Sequence, residues 1–177
     1  PYTDVPLDDE PVGETVYLNL INKARRYVYI TTPYLILSNE MITALRTAAK
    51  SGVDVRIITP HVPDKWYVHV LTRAYYESLV EAGVKIYEYT PGFIHAKTFT
   101  VDGELGVVGT INLDFRSLYL HFECAAWLCR CACIEDMRED FLATQALSQE
   151  VTLRDCRAVR LPTRILRSVL RLFAPLM

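Results

Sequence analysis

The chain has 177 residues, of which 51% are hydrophobic and 23% charged, and a formal net charge of −2. That length supports one sizeable core, and the near-neutral balance lacks the basic footprint of a nucleic-acid-binding surface. It carries no secretory signal and no apolar run of about 20 residues, so nothing in it reads as a bilayer span. Because it begins at Pro1, we take it as a piece of a longer protein, with room for a membrane anchor upstream.

Residues 1–13 are acidic, bear prolines and read as a linker. Val16, Tyr17, Leu20, Ile21 and Ala24 recur at helical spacing and predict a helix over 14–26. The stretch 27–32 is β-rich and stops at Pro33. Asn39 is the expected cap of a helix through Met41, Ile42, Leu45 and Ala49, closed by Gly52. Residues 53–59 alternate as a strand. Asp64 is the expected cap of a longer helix through Val68, Leu71, Tyr75 and Leu79, closed by Gly83, with a strand at 84–89 following.

Two strands, 94–102 and 105–111, are then joined at Asp102-Gly103, a hairpin-turn dipeptide. A strand over 120–129 and a helix over 134–147, with Met137, Phe141 and Leu142 facing inward, complete the body. Helix–strand alternation followed by clustered strands implies an α/β fold, a mixed β-sheet flanked by helices on both faces.

The end of the chain differs in charge. Residues 157–177 hold Arg157, Arg160, Arg164, Arg167 and Arg171 and no acid, which leaves the preceding body acidic. On a helix these arginines fall within an arc of about 80°, with Leu166, Val169, Leu170 and Phe173 on other faces. Pro162 is expected to start that basic amphipathic helix at its first position. Such a helix either packs on its own domain or lies in an anionic membrane surface through Arg160, Arg164, Arg167 and Arg171, each contributing about 1 kcal/mol. The five cysteines are Cys124, Cys129, Cys131, Cys133 and Cys156. An odd count argues against a disulfide framework. The one-residue spacing of Cys129, Cys131 and Cys133 does not suit zinc, so small buried thiols sharing one strand face are expected.

Chemistry concentrates in the hairpin. On a strand, His95 and Lys97 point to the same side. The returning strand brings Thr110 and Asn112 back to the end where they started. An imidazole, an ammonium and neutral donors around one point describe a site for a phosphoryl group. His61 and His69 are better read as structural or solvated. Asp114 and Arg116 suit an internal salt bridge at least as well as ligand contact.

The pattern His-x-Lys-x-x-x-x-Asp at 95–102 with Gly-Thr-x-Asn at 109–112 resembles the signature of the phospholipase D superfamily. The flanks at 31–34, 52–56, 82–89 and 109–117 resemble the bacterial cardiolipin synthase family, specifically its second half, from about residue 14 to the C-terminus. The resemblance implies a two-lobed enzyme with one motif per lobe, needing no metal or other cofactor and working through a phosphohistidine. Residues 14–156 would be the second catalytic lobe. His95 would be the acid/base and Lys97 and Asn112 would bind non-bridging oxygens, with further donors from Thr110 and Ser117. Glu123 would orient His95 and set its pKa, and Asp102 would support the hairpin and its ion network.

The resemblance further implies phosphatidyl transfer between two phosphatidylglycerol molecules, giving cardiolipin and glycerol. The expected partners are that anionic lipid, the N-terminal lobe and the cytoplasmic face of a bacterial cell membrane, and not nucleic acid. The isolated chain would be soluble and inactive or weakly active. Two departures stand out: His121-Phe122-Glu123 replaces a more usual Asn before the aromatic, and Leu35-Ile36-Leu37-Ser38 follows Pro33-Tyr34 where an aromatic and a proline are common. The alternatives are a single-motif phosphodiesterase or nuclease that pairs two copies as a homodimer, and another lipid enzyme such as a phosphatidylserine synthase or hydrolase.

Overall fold

Three strands set the frame. In the computed structural model, which describes residues 1–7 and 10–174, β2 (Tyr27–Thr31), β3 (Asp54–Pro60) and β4 (Lys85–Tyr89) pair in parallel. Parallel neighbours need crossovers, and α2 (Asn39–Lys50) and α3 (Trp66–Val80) supply them. Antiparallel strands extend the sheet on both sides: β5 (Thr98–Val101), β6 (Leu105–Gly109), β7 (Glu123–Cys129) and β1 (Tyr2–Asp4) on one, and β8 (Ser148–Val151) on the other. The order is β1-β7-β6-β5-β2-β3-β4-β8.

Both faces are covered, as the sequence predicts. Val28, Ile30, Val55, Ile57 and Ile86 pack under α1 (Val12–Lys23), α2 and α3 with Tyr17, Leu20, Leu45 and Leu79. On the other face Tyr29, Ile58 and Tyr87 meet Phe141 of α5 (Cys133–Ala146), and Tyr29 stacks on Phe141 with ring centroids 4.8 Å apart. Strands buried on both faces lose the polar alternation of a half-exposed sheet.

Several expectations are corrected. Tyr2–Asp4 is not linker but an edge strand on β7. Asp4 is buried, and its carboxylate accepts the Gly13 N–H at 2.6 Å, which fixes the entry to α1 at Val12 rather than Glu14. Ser38, not Asn39, caps α2 through Met41 N–H. Asp64 caps nothing, since α3 starts after Lys65 with no side-chain cap. The second strand of the hairpin ends at Gly109, and β7 starts at Glu123 rather than Leu120.

The cysteine expectation fails as well. The strand ends at Cys129, Arg130 takes a positive φ of 49° and Cys133 opens α5. Cys124, Cys129 and Cys133 are therefore exposed and Cys131 half-buried, while Cys156 is buried.

After β8 come α6 (Leu153–Arg157) and α7 (Leu161–Leu172), packed along α3. Pro162 is the second helical residue rather than the first. Arg157 pairs with Glu77 and Glu81 at 3.3 and 2.9 Å, and the Arg171 guanidinium lies 4.8 Å over the Tyr75 ring. The arginine side of α7 thus turns towards α3. Positions 8–9 of the expected linker and 175–177 of the expected helix lie outside the described residues. Among the described residues no helix is long and apolar enough to cross a membrane, and no group of three or more His, Cys, Asp or Glu side chains is placed to hold a metal ion.

Candidate active site

Antiparallel pairing gathers chain ends at one edge. Thr31 at the end of β2 pairs with Thr98 at the start of β5, and Thr98 pairs with Val108 near the end of β6. Just beyond, the Thr110 N–H donates to Cys124 O at 2.9 Å at the start of β7. Here His95, Lys97, Thr110, Asn112 and Glu123 line one depression of about 490 Å³. Gly109 makes the approach of β6 and β7 possible, because a Cβ there would sit 2.4 Å from Ala125 Cβ and Cys124 O.

His95 and Lys97 precede the strand instead of lying on it, since β5 begins at Thr98. The Lys97 carbonyl still accepts the Gly109 N–H at 3.3 Å, which ties this segment to β6. Lys97 is buried, and its Nζ donates to His95 O at 2.7 Å. The ammonium therefore holds the backbone that carries the histidine. Burial lowers the Lys97 pKa, while Glu123 and Asp114 oppose that shift.

The His95 ring is exposed and rests against Phe93, with centroids 5.6 Å apart. Phe93 in turn meets Tyr34 at 6.5 Å, and the Tyr34 hydroxyl donates to Asp64 Oδ2 at 2.5 Å. Partial desolvation and the Lys97 charge hold the imidazole below its ordinary pKa, and Asp64 pulls the other way. The free site accordingly presents a neutral imidazole at pH 7. The sign can be checked directly. A proton-NMR titration of the chain should place His95 below the usual histidine range, with Lys97→Met moving it up and Asp64→Asn moving it further down.

Other predicted residues have different roles. Glu123 does not bond His95; its partners are the Thr110 hydroxyl and His121, whose Nδ1 lies 3.8 Å from Oε1. Asp64 is the carboxylate that acts on the imidazole. Ser117 is buried: its Oγ accepts from Asn112 Nδ2 at 2.8 Å and its N–H donates to Asp114 Oδ1 at 2.8 Å. It positions the Asn112 carboxamide and does not line the depression. Asn112 Oδ1 is buried and unpartnered among the described residues. Asp114 caps α4 (Phe115–Tyr119) and forms no ion pair with Arg116 among the described residues.

Asp102 stands at the opposite end of the hairpin, about 16 Å along the chain from Lys97 at about 3.3 Å per residue. Its carboxylate accepts the backbone N–H groups of Arg25, Arg26 and Tyr27 at 2.8, 2.9 and 2.8 Å. With Gly103 it makes the turn, the two having φ of 56° and 73°. His61 bonds the buried Glu88 at 2.8 Å, and His69 lies 3.9 Å from the same carboxylate. Both lie away from the depression, as their structural reading predicts.

Sequence reasoning missed the scaffold. The Tyr17 hydroxyl donates to Ile111 O at 2.8 Å, and the Tyr17 ring stacks on Phe99 at 4.2 Å. Thr32 Oγ1 accepts from Leu113 N–H at 3.3 Å, and the Ile36 N–H donates to Leu113 O at 2.7 Å. Asn112 is therefore clamped from both neighbours.

A sheet with the histidine–lysine segment entering one strand, and the threonine–asparagine segment leaving the next, defines a phospholipase D-like lobe. Solved structures share its fold. Nuc, a phospholipase D family member from Salmonella typhimurium, superposes with a TM-score of 0.70 at 17% identity, over 85% of this chain and 98% of its own. The phosphatidylserine synthase of Haemophilus influenzae gives a TM-score of 0.70 at 16% identity, over 92% of this chain and 42% of its own. The model of the family described as cardiolipin synthase, PLD-like domain, matches residues 17–144, and the chain belongs to that family.

Among its relatives, an uncharacterized protein from Streptococcus mutans is 51% identical over all of this chain and 38% of its own length. The cardiolipin synthase of Halalkalibacterium halodurans is 38% identical over 94% of this chain and 33% of its own. That of Geobacillus sp. WCH70 is 41% identical over 92% and 32%. The chain spans about a third of the length of these relatives.

Proposed function

We propose that this chain supplies one half of an active site that transfers a phosphatidyl group from one phosphatidylglycerol to a second, forming cardiolipin and glycerol. The observation that carries this reading is one imidazole, His95, beside the buried Lys97 and the clamped Asn112 in a single open depression. Two-step transfer needs a nucleophile and an acid/base, so a second histidine belongs to the lobe that completes the site.

In the first step the partner imidazole attacks phosphorus and the bond to the glycerol oxygen breaks, with His95 in its imidazolium form protonating that oxygen. In the second step neutral His95 takes the proton from the hydroxyl of the incoming phosphatidylglycerol. The alkoxide oxygen bonds phosphorus as the phosphorus–nitrogen bond breaks. Lys97 and Asn112 stabilise charge on the non-bridging oxygens, while Thr110, whose one hydroxyl proton goes to Glu123, holds that carboxylate at the rim. The lowered pKa of His95 suits the base step. The anionic phosphodiester raises it for the acid step, because a nearby negative charge favours imidazolium.

The test is product analysis with labelled phosphatidylglycerol and the longer protein from which this chain comes, with and without serine. Cardiolipin and glycerol in equal amounts are expected. Phosphatidylserine in the presence of serine, or phosphatidic acid from water alone, would overturn the assignment in favour of another lipid enzyme. Cleavage of plasmid DNA with lipid untouched would assign the site to a nuclease.

A further inference from the structure

The two sides of α7 are unlike. Leu161, Ile165, Val169 and Leu172 are 70%, 57%, 45% and 79% exposed. On the flank towards α3, Arg164, Arg167 and Arg171 join Arg73 around a cavity of about 160 Å³. Arg73 is engaged by Glu88 at 2.7 Å, and Arg171 by the Tyr75 ring. Glu77, the carboxylate lining this cavity, is taken by Arg157. Among the described residues no carboxylate forms an ion pair with Arg164, Arg167 or Arg171. The Nε of Arg167 is shielded from solvent and has no hydrogen-bond partner among them.

Guanidinium groups gathered this closely repel one another, and a buried unpaired donor is costly. Burial first, and then the Arg73 charge, hold Arg167 below the ordinary arginine range. An anion with several acceptor oxygens would remove both costs, and phosphate oxygens match the guanidinium fork. The same helix narrows the source of that phosphate. A free phosphate would fill the cavity and leave four apolar side chains in water. A phospholipid surface accounts for both sides at once.

We propose that α7 lies in the membrane interface, with Leu161, Ile165, Val169 and Leu172 entering the acyl boundary and the Arg73–Arg164–Arg167–Arg171 cavity holding the phosphate of an anionic phospholipid. This site is separate from the His95 depression and shares no lining residue with it. An amphipathic helix with arginines on its polar side is the type that binds anionic surfaces in this way.

The test is flotation of the 177-residue chain with vesicles of phosphatidylglycerol and phosphatidylcholine, compared with phosphatidylcholine alone. Binding to the anionic vesicles is expected, with a drop of at least tenfold for the double change Arg164→Gln and Arg167→Gln, and a similar drop for Ile165→Ser with Val169→Ser. Ile165→Trp, a milder change, should keep binding and add fluorescence that brominated acyl chains quench. Binding unaffected by the arginine changes, or equal binding to phosphatidylcholine, would overturn the proposal. It would fail equally if inorganic phosphate raised the thermal midpoint through these arginines while vesicles did not bind. A change of oligomeric state in the serine variants with vesicle binding intact would assign the apolar side to a protein contact. His95→Ala should leave flotation unchanged, so this inference and the proposed transfer reaction stand or fall separately.

Discussion

His95→Ala in the longer protein is expected to reduce phosphatidyl transfer by about a thousandfold or more, while the thermal midpoint stays within about a degree. The ring is exposed and, among the described residues, its one aromatic neighbour is Phe93, so its removal opens no cavity. In the proposed mechanism the chemical loss is large because the imidazole serves both steps, giving a proton to the leaving glycerol and taking one from the incoming alcohol. Acid/base catalysis by a placed histidine contributes about 10²- to 10⁴-fold. Turnover and calorimetry on the same preparation separate the two effects. A variant that keeps a tenth of the wild-type rate would show that His95 is not in the reaction.

Asp102→Ala is expected to do the reverse. Three backbone N–H groups lose their acceptor, each costing about 1 kcal/mol at a partly solvated site. The φ of 56° becomes a further cost of about 1 kcal/mol for alanine. The sum is about 4 kcal/mol, or a fall of roughly 8–16 °C in the midpoint for a chain of this size. The rate per folded molecule should remain near that of the wild type, because the carboxylate lies at the far end of the hairpin from His95. Asp102→Asn, which keeps one acceptor oxygen and tolerates the turn, should recover part of the stability. A thousandfold loss of rate in folded Asp102→Ala would place the carboxylate in the chemistry.

These two residues show what a sequence motif conveys and what it does not. Helical spacing, the closing Gly52 and Gly83, and the turn at Asp102-Gly103 are local signals, and they placed the sheet and its covering helices. They also placed His95, Lys97, Thr110 and Asn112 at one edge, because a hairpin returns its chain to where it began, whereas Glu123 is implied only by the family resemblance.

What depended on distant partners stayed hidden. Asp64 resembles a helix cap in sequence, yet its partner is Tyr34, 30 residues away, whose ring leads through Phe93 to His95. Tyr17 reads as one more core tyrosine, yet its hydroxyl crosses 94 residues to hold Ile111. Ser38 and Asn39 are both good caps side by side; Ser38 is also engaged by its donation to Glu14 at 2.6 Å. Ser117 sits inside a recognisable motif, but its hydroxyl faces the Asn112 amide rather than the depression. The periodicity of α7 revealed two faces without saying which one turns inward. Tyr75 and the α3 flank decide that the arginines do.

The central claim is that this chain holds half of a phosphoryl-transfer site. It is tested most directly by assaying phosphatidylglycerol turnover with the 177-residue chain at concentrations where sedimentation shows a monomer. The account predicts no cardiolipin above background, and transfer that appears only when a lobe supplying the proposed second histidine is present. Cardiolipin formed by the monomer alone at the rate of the longer protein would contradict it.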